Sequence, residues 1–197
     1  MIDRTIPFYN IILKCESFKP LDITLPKGYN LSHFKRGYEK PWAKLEHELG
    51  DFNSIIEAEK YFFEKYMSDI QRLKKQSVFL LDSNDEIVGF CLAWTDNKKD
   101  ELVSSVHWLA VDEKNQGKGL GKFIFNETMK LFDKYPVYIH TQPWSWKAIL
   151  LYISMGFRIQ KTDTFADYTN QYDLAVCELK KLLSVGQFEK VAEVSDD

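Results

Sequence analysis

A glycine-dense hexapeptide carries the residue types and spacing that could do chemistry most directly. Residues 116–121 read Gln-Gly-Lys-Gly-Leu-Gly, which places three of the chain's nine glycines within five positions. Without side chains at those positions, a ligand can approach the backbone closely. The apolar residues that follow repeat at helical spacing and predict a helix that begins near Leu120. Because a helix N-terminus attracts anions, the loop predicts an anion site, to which Lys118 and Lys122 add positive charge.

The spacing of this loop excludes two common phosphate-binding motifs. A Walker loop needs a glycine five positions before its Gly-Lys pair, and that position is Gln116. A dinucleotide fingerprint needs a third glycine where this chain has Lys122. For the hexapeptide alone, a glycine-rich turn before an ordinary helix stays an alternative.

The residues before the loop predict a strand. Residues 103–111 include Val106, Trp108, Leu109, Ala110 and Val111, which form a nearly continuous apolar run. Such a run is typical of a strand with no wet face. We therefore expect this strand to be buried on both faces and to lead directly into the loop.

Composition bounds the class of protein. With 197 residues and 45% hydrophobic content, a single α/β domain with a substantial core is expected. No apolar run approaches the roughly 20 residues that cross a bilayer, and no convincing signal peptide begins the chain, so a cytoplasmic location away from membranes is expected. Three widely spaced cysteines predict neither a disulfide framework nor a metal site. A net charge of −3 argues against a nucleic-acid partner.

Periodicity and turn residues predict the other elements. Strands are expected over 6–14, 29–35, 77–81, 87–94, 137–141 and 157–161, with a polar loop at 95–101. Helices are expected over 41–50, from a Ser54 cap to about residue 70, from a Ser145 cap through Met155, and over 172–183, where a strand is the alternative. In the second helix the apolar side is expected to consist of Ile56, Phe63, Met67 and Ile70. The tail over 193–197 is expected to fray.

Two motifs together resemble one known family. Gln116, Gly119 and Gly121 fit the Q/R-x-x-G-x-G/A pyrophosphate loop of the GCN5-related N-acetyltransferases (GNAT). Residues 145–157 are similar to the family's N-x-x-A-x-x-x-Y-x-x-x-G-F signature, with matching spacing from Ala148 to Phe157 and Ser145 in place of Asn. The two motifs occur in the family's order and cover about residues 77–160.

The resemblance implies a fold and a cofactor. The fold is a single GNAT-like domain with a mixed, mostly antiparallel sheet, splayed central strands and helices on both faces. Strands and acceptor-side helices occupy 1–76, the acetyl-CoA-binding core 77–160, and a final strand or helix 161–197. The residues implied to bind acetyl-CoA are Leu109, Ala110, Val111, Gln116, Gly117, Lys118, Gly119, Leu120, Gly121, Lys122, Thr141, Ser145, Trp146 and Ala148.

The resemblance also implies catalytic roles. Tyr152 matches the family's general-acid tyrosine, which protonates the departing CoA thiolate; a core tyrosine is the alternative. The stretch from His107 to Val111 resembles that of arylalkylamine N-acetyltransferases, in which a strand histidine is the base. His140 is a weaker alternative base. Because none of the cysteines is expected near the thioester, transfer is expected to be direct.

The acceptor side is less defined by the sequence. Carboxylates at Glu46, Glu48 and Asp51 are expected to hold a substrate ammonium or to act as the base; a solvated acidic face is the alternative. The acceptor is expected to be a primary amine of a small molecule or peptide, and the protein a monomer or homodimer. A catalytically silent module that binds acyl-CoA remains the alternative function.

Overall fold

The computed structural model describes residues 3–193. Its strands are β1 (Ile11–Cys15), β2 (Asn30–Ser32), β3 (Ser77–Leu81), β4 (Ile87–Lys98), β5 (Glu101–Val111), β6 (Val137–Thr141) and β7 (Arg158–Ile159). Its helices are α1 (Glu39–Leu49), α2 (Ile55–Tyr66), α3 (Ile70–Lys75), α4 (Leu120–Met129), α5 (Trp146–Ser154), α6 (Tyr172–Leu182) and α7 (Val185–Glu193).

The strands form one seven-stranded sheet in the order β2-β3-β4-β5-β6-β1-β7. The pairs β2–β3, β3–β4, β1–β6 and β1–β7 are antiparallel, and β5 pairs in parallel with β6 at Ser104–Val137 and Ser105–Tyr138. The mixed, mostly antiparallel sheet with helices confirms the predicted fold class. The chain divides into two compact units, and β4 and β5 contribute residues to both.

The first unit comprises Pro20–Ala93 and His107–Leu131, and its core is rich in aromatic rings. Trp42 of α1 lies 4.8 Å from the Phe62 ring of α2 and 5.6 Å from the Phe90 ring of β4, measured between centroids. All three side chains are completely buried. Burial of this much apolar surface is the main favourable term that holds α1 and α2 on the strands.

The buried side of α2 differs from the predicted one. Ala58, Phe62 and Tyr66 face the core, whereas Ile56 and Phe63 are 79% and 67% exposed. Both sets recur at helical spacing, so periodicity alone does not choose between them. The choice is made by α1, because Trp42 packs against the Phe62 side.

The start of α2 was predicted correctly from its N-cap residue. The Ser54 hydroxyl accepts a hydrogen bond from the Glu57 N–H at 3.1 Å, as the predicted N-cap requires. The Glu57 carboxylate reaches back to the N–H of Asn53 rather than to that of the cap residue. After Tyr66 the helical path continues through a 3₁₀ turn, Met67–Asp69, into α3, five residues beyond the predicted end.

The second unit comprises Asp3–Lys19, Trp94–Val106 and residues 132–193. Strand β1 lies between β6 and β7, and Ile12, Tyr138 and Phe165 pack together in its core. The polar loop predicted over 95–101 is instead a tight hairpin turn at Lys99 and Asp100. The Ser105 hydroxyl of β5 donates to the Asp96 carboxylate of β4 at 2.8 Å. This pair of polar side chains stabilises the association of the two strands near the turn.

Other boundaries also shift. Strands β1 and β7 are shorter than predicted, and α1 begins two residues before Pro41. The helix predicted over 172–183 is confirmed as α6, whereas β5 is only half-buried at Trp108, Leu109 and Val111. The prediction that β5 has no exposed face is therefore wrong. Residues 194–197 of the predicted frayed tail lie outside the described residues.

The close approach of β4 to β5 depends on Gly89. A methyl group at this position would lie 2.8 Å from the Ala110 carbonyl oxygen and 2.7 Å from Cδ1 of Ile124. We expect Gly89→Ala to lower the free energy of unfolding by about 1–3 kcal/mol because the strand and α4 must move apart. Urea unfolding followed by circular dichroism measures this change.

Gly186→Ala is the matched control, because a methyl group there meets no atom within 4 Å and lies in α7. Alanine in a helix is favoured over glycine, so this variant should be unchanged or slightly more stable. Equal stability changes in the two variants would contradict the role of Gly89.

Candidate active site

An irregularity of β5 at Trp108, here called the bulge, is the central feature of the candidate site. Trp108 has a φ of +54°, a conformation that is rare for a large side chain in a strand. In a regular strand, neighbouring side chains point to opposite faces. Here the neighbours His107 and Trp108 both form a hydrogen bond with the Tyr66 hydroxyl. The hydroxyl oxygen lies 2.9 Å from His107 Nδ1 and 2.9 Å from Trp108 Nε1. The bulge thus places two consecutive side chains against one partner.

Tyr66 fixes the histidine of this site. Its ring is completely buried on α2, and its hydroxyl accepts the indole N–H of Trp108. The same oxygen has a second lone pair that accepts from Nδ1–H of His107 in one neutral tautomer, which makes Nε2 the basic atom. His107 is half-buried. The group therefore has the partner and orientation that a general base requires.

Cys91 lies closer to this site than the sequence predicts. Its Sγ is 4.0 Å from the His107 carbonyl oxygen. Burial raises the pKa of the Cys91 thiol to about 12, so the thiolate that a nucleophile needs is absent near neutral pH. Direct transfer remains the expectation because the Cys91 thiol is not ionised, although this cysteine is not distant from the site.

The glycine loop has the geometry expected of an anion cradle. Gly119 is the N-cap of α4 with a φ of +81°, and Gly117 has a φ of +77°. A methyl group at either position would meet no atom within 4 Å. The Gln116 amide donates to the Val111 carbonyl oxygen at 2.9 Å, which ties the loop to the end of β5. The conformation thus favours glycine while the surrounding space stays open.

The two lysines of the loop differ in their contacts. Lys118 Nζ donates to Asn115 Oδ1 at 2.8 Å and to the Tyr29 hydroxyl at 3.0 Å, and that hydroxyl donates to Asn115 at 2.7 Å. Lys122 is exposed in the first turn of α4. Lys118 therefore holds the loop together as well as adding charge.

The predicted residues of the second unit lie on β6 and α5. Thr141 is the buried last residue of β6, and Trp146 and Ala148 are in the first turn of α5. Ser145 is the N-cap of α5, but its side chain makes no capping hydrogen bond, so the expected hydroxyl cap is wrong. Tyr152 is 6% exposed and lies one helical turn after Ala148.

The three acidic candidates of the first unit have different surroundings. Glu46 is 1% exposed on the core side of α1, whereas Glu48 is exposed and 3.7 Å from Lys44 Nζ. Asp51 is exposed just after the Gly50 C-cap. Burial, and next the charge of the neighbouring Asp51 carboxyl, raise the pKa of Glu46 well above its usual value. The structure brings Glu46 and Asp51 together and leaves Glu48 in solvent.

Several site residues were missed by sequence reasoning. Tyr66, Trp42, Phe52 and Tyr61 surround the bulge, with Trp108 in contact with each of the last three rings. A dense aromatic segment was visible in the sequence, but a bulge has no composition signal of its own. A separate cleft of about 380 Å³ lies on the outer side of α1 and α2, lined in part by Ile56 and Phe63, and none of the predicted site residues lines it.

Comparison with known proteins agrees with this geometry. Residues 74–159 match the family model described as an acetyltransferase (GNAT) domain. A search of curated proteins finds no match. The matched segment makes up 86 of the 197 residues and resembles a domain of the acyltransferase class. Because it includes both motifs, the match confirms their resemblance to the GCN5-related N-acetyltransferases.

Solved structures of several GNAT proteins share the fold at low sequence identity. A GNAT protein from Sphaerobacter thermophilus has a TM-score of 0.56 at 16% identity, over 78% of this chain and 49% of that one. A tandem GNAT protein from the clavulanic acid biosynthesis pathway has a TM-score of 0.56 at 13% identity, over 77% and 50%. The chain thus spans about half the length of these two proteins.

A third solved structure is covered more fully. Arabidopsis thaliana NAA60, in complex with a bisubstrate analogue, has a TM-score of 0.51 at 18% identity, over 66% of this chain and 84% of that one. At these identities the likeness establishes the fold. Among residues 3–193, no helix is long and apolar enough to span a membrane, and no group of His, Cys, Asp or Glu is arranged to hold a metal ion.

His140, the alternative base, is held in a structural environment. Its ring stacks on Tyr168 with centroids 3.7 Å apart, and its Nε2 lies 2.8 Å from Asn10 Oδ1. Burial lowers its pKa to about 4, against a smaller opposite effect of the Asp96 charge. A ring that is neutral and bonded through Nε2 is a poor proton acceptor at neutral pH, so His107 is the stronger candidate.

The depressed pKa of His140 predicts acid sensitivity. Between pH 6.5 and 4 the His140 imidazole is protonated in the unfolded chain but not in the folded chain. The free energy of unfolding therefore keeps this contribution above about pH 6.5 and loses it as the pH falls toward 4. His140→Gln cannot titrate, so its loss of unfolding free energy from pH 7 to pH 4.5 should be about 1–2 kcal/mol smaller than in the wild type. Urea titrations at both pH values measure this, with the exposed His33→Gln as control. An unchanged pH dependence in His140→Gln would contradict the prediction.

Proposed function

We propose that this protein transfers an acetyl group directly from acetyl-CoA to a primary amine of a small molecule or peptide. The observation that carries the proposal is the bulge at Trp108, because it holds His107 and Trp108 against the Tyr66 hydroxyl at 2.9 Å each. A module that only binds CoA has no need of an oriented histidine at this point. The proposal treats residues 1–197 as one acetyltransferase domain.

The glycine loop supports acetyl-CoA as the donor. Gly117 and Gly119 leave open space over backbone amides at the N-terminus of α4, where a pyrophosphate is stabilised by N–H groups and the helix dipole. Lys118 and Lys122 add positive charge. Backbone groups from Leu109 to Val111 are proposed to pair with the pantetheine amides in the manner of an added strand. The proposed contacts in the second unit are Thr141, Ser145, Trp146 and Ala148.

The chemistry assigns one role to each catalytic group. His107 Nε2 takes the proton that the acceptor ammonium must lose before its nitrogen attacks the thioester carbonyl carbon. The new C–N bond forms as the C–S bond breaks. Tyr152 is proposed to give its proton to the departing thiolate sulfur, and the second proton that the acceptor nitrogen loses restores the tyrosine hydroxyl by way of solvent. A backbone N–H at the bulge is proposed to stabilise the oxyanion that develops on the thioester oxygen.

Cofactor binding is tested at Gly119. The Gly119→Ala variant adds a methyl group over the proposed pyrophosphate amides, so the Kd for acetyl-CoA measured by isothermal titration should rise at least about tenfold. Gly37→Ala is the control, because Gly37 has a similar φ of +101° and equally open surroundings away from the loop. Both variants carry the same backbone strain of about 1 kcal/mol. Equal affinities in the two variants, or no binding by the wild type, would overturn the cofactor assignment.

Catalysis is tested by removing the two proton-transfer groups. His107→Gln and Tyr152→Phe should each lower kcat for thiol release at least about a hundredfold, the usual scale of general acid–base catalysis. The Kd for acetyl-CoA should change less than about twofold, which separates chemistry from binding. His33→Gln controls for replacement of an exposed histidine. Full turnover in either test variant would show that the replaced residue does not have the proposed role. Absence of thiol release by the wild type with a broad panel of amines would contradict the proposed activity.

A further inference from the structure

Three half-exposed aromatic rings beside the bulge form a continuous surface, here called the acceptor cluster. The ring centroids of Phe52, Tyr61 and Trp108 lie 5.4 to 5.6 Å apart in every pair. Trp42 lies behind them, with its centroid 5.9, 6.4 and 5.7 Å from the same three rings. The acceptor cluster is therefore a rigid apolar surface with a buried indole at its base.

Two buried polar groups on the core side of α1, which carries the buried indole of the cluster, have no hydrogen-bond partner among the described residues. They are Nε1 of Trp42 and the carboxyl oxygens of Glu46, one helical turn apart on the core side of α1. The Asp51 carboxyl approaches Glu46 closely enough to raise its pKa, but no bond of good geometry joins them. Each unpaired group costs about 1–3 kcal/mol. Groups of this kind in a native structure call for a functional explanation.

Asp51 gives this region a negative charge, and ionisation of the neighbouring Glu46 adds a second. Lys44 of the same helix points to solvent, where it pairs with Glu48 at 3.7 Å. Aromatic ring faces add a second attraction for cations, because their quadrupole is negative above the ring. A ligand held here gains most if it joins a positive charge to an apolar body.

We propose that the acceptor cluster selects a primary alkyl- or arylalkyl-ammonium as acceptor, with Glu46 as the residue that recognises its charge. The proposal rests on the proposed acetyl transfer and names its substrate class. The apolar body lies against Phe52, Tyr61 and Trp108, and the ammonium N–H donates toward the Glu46–Asp51 pair. Binding of the cation favours the ionised form of Glu46, whose proton leaves to solvent.

The position of the catalytic histidine agrees with this site. Trp108 belongs to the acceptor cluster and its chain neighbour is His107, and Tyr66 holds both side chains. Tyr66 also contacts the Tyr61 ring, with centroids 6.1 Å apart. An amine bound on the cluster is thus presented beside the group that would take its proton. An amino sugar would lose the hydration of its hydroxyl groups on the apolar rings without equivalent contacts. An acidic amino acid would be repelled by the Glu46–Asp51 pair.

The test compares four amines with saturating acetyl-CoA: hexylamine, phenethylamine, glucosamine and aspartate. We expect kcat/KM for hexylamine and phenethylamine to exceed that for the other two at least about tenfold. Glu46→Gln keeps the size of the side chain but cannot ionise when the cation binds, so KM for hexylamine should rise at least about tenfold. The Kd for acetyl-CoA should stay within about twofold. Glu64→Gln, an exposed α2 residue that pairs with Lys60, controls for loss of one acidic charge.

The outcomes distinguish this acceptor proposal from the proposed acetyl transfer on which it rests. A preference for glucosamine or aspartate, or an unchanged hexylamine KM in Glu46→Gln, overturns the acceptor assignment while acetyl transfer stands. Transfer to none of the four amines by a protein that binds acetyl-CoA also overturns it. Failure of acetyl-CoA to bind overturns the proposed function instead. If Glu46→Gln does not fold, Tyr61→Leu serves in its place, since loss of the ring should raise KM for phenethylamine more than for glucosamine.

Discussion

The backbone conformation of Trp108 is the constraint on which the candidate site depends. A positive φ at a tryptophan costs about 1–3 kcal/mol and persists only where surrounding contacts determine it. Here the indole is held by the Tyr66 hydroxyl and by the rings of Trp42, Phe52 and Tyr61. The packing of α1 and α2 therefore supports the shape of β5. A change in the helix core would reach the histidine next to the bulge without touching it.

The same packing explains why a carboxyl group is tolerated in the core. Helix α1 is anchored by Trp42, which is fully buried and in contact with α2 and β4. This apolar burial outweighs the cost of placing Glu46 one turn further along the same side. The protein thus spends stability at one position of α1. Local destabilisation of this kind is found where a structure forms a functional site.

Sequence reasoning reached the parts of the site that rest on local backbone rules. Positive φ at Gly117 and Gly119 is a property of the residue type, and the helix after them follows from apolar periodicity. The bulge is different, because its cause is the distant Tyr66 and not the residues of β5. The buried side of α2 and the burial of Glu46 also depend on a tertiary partner, since two stripes on α2 and three carboxylates near α1 fit the sequence equally well. The sequence therefore located the cofactor loop better than the acceptor surface.

The distribution of cysteines has a practical consequence for measuring this protein. Cys15 and Cys91 are buried and burial raises the pKa of both thiols, whereas Cys177 on α6 is exposed. Reaction of a thiol with a colorimetric disulfide reagent requires both access and the thiolate form. In the native state the reagent therefore titrates one equivalent of protein sulfur rapidly. Any colour beyond that equivalent reports coenzyme, so the folded protein carries its own internal standard.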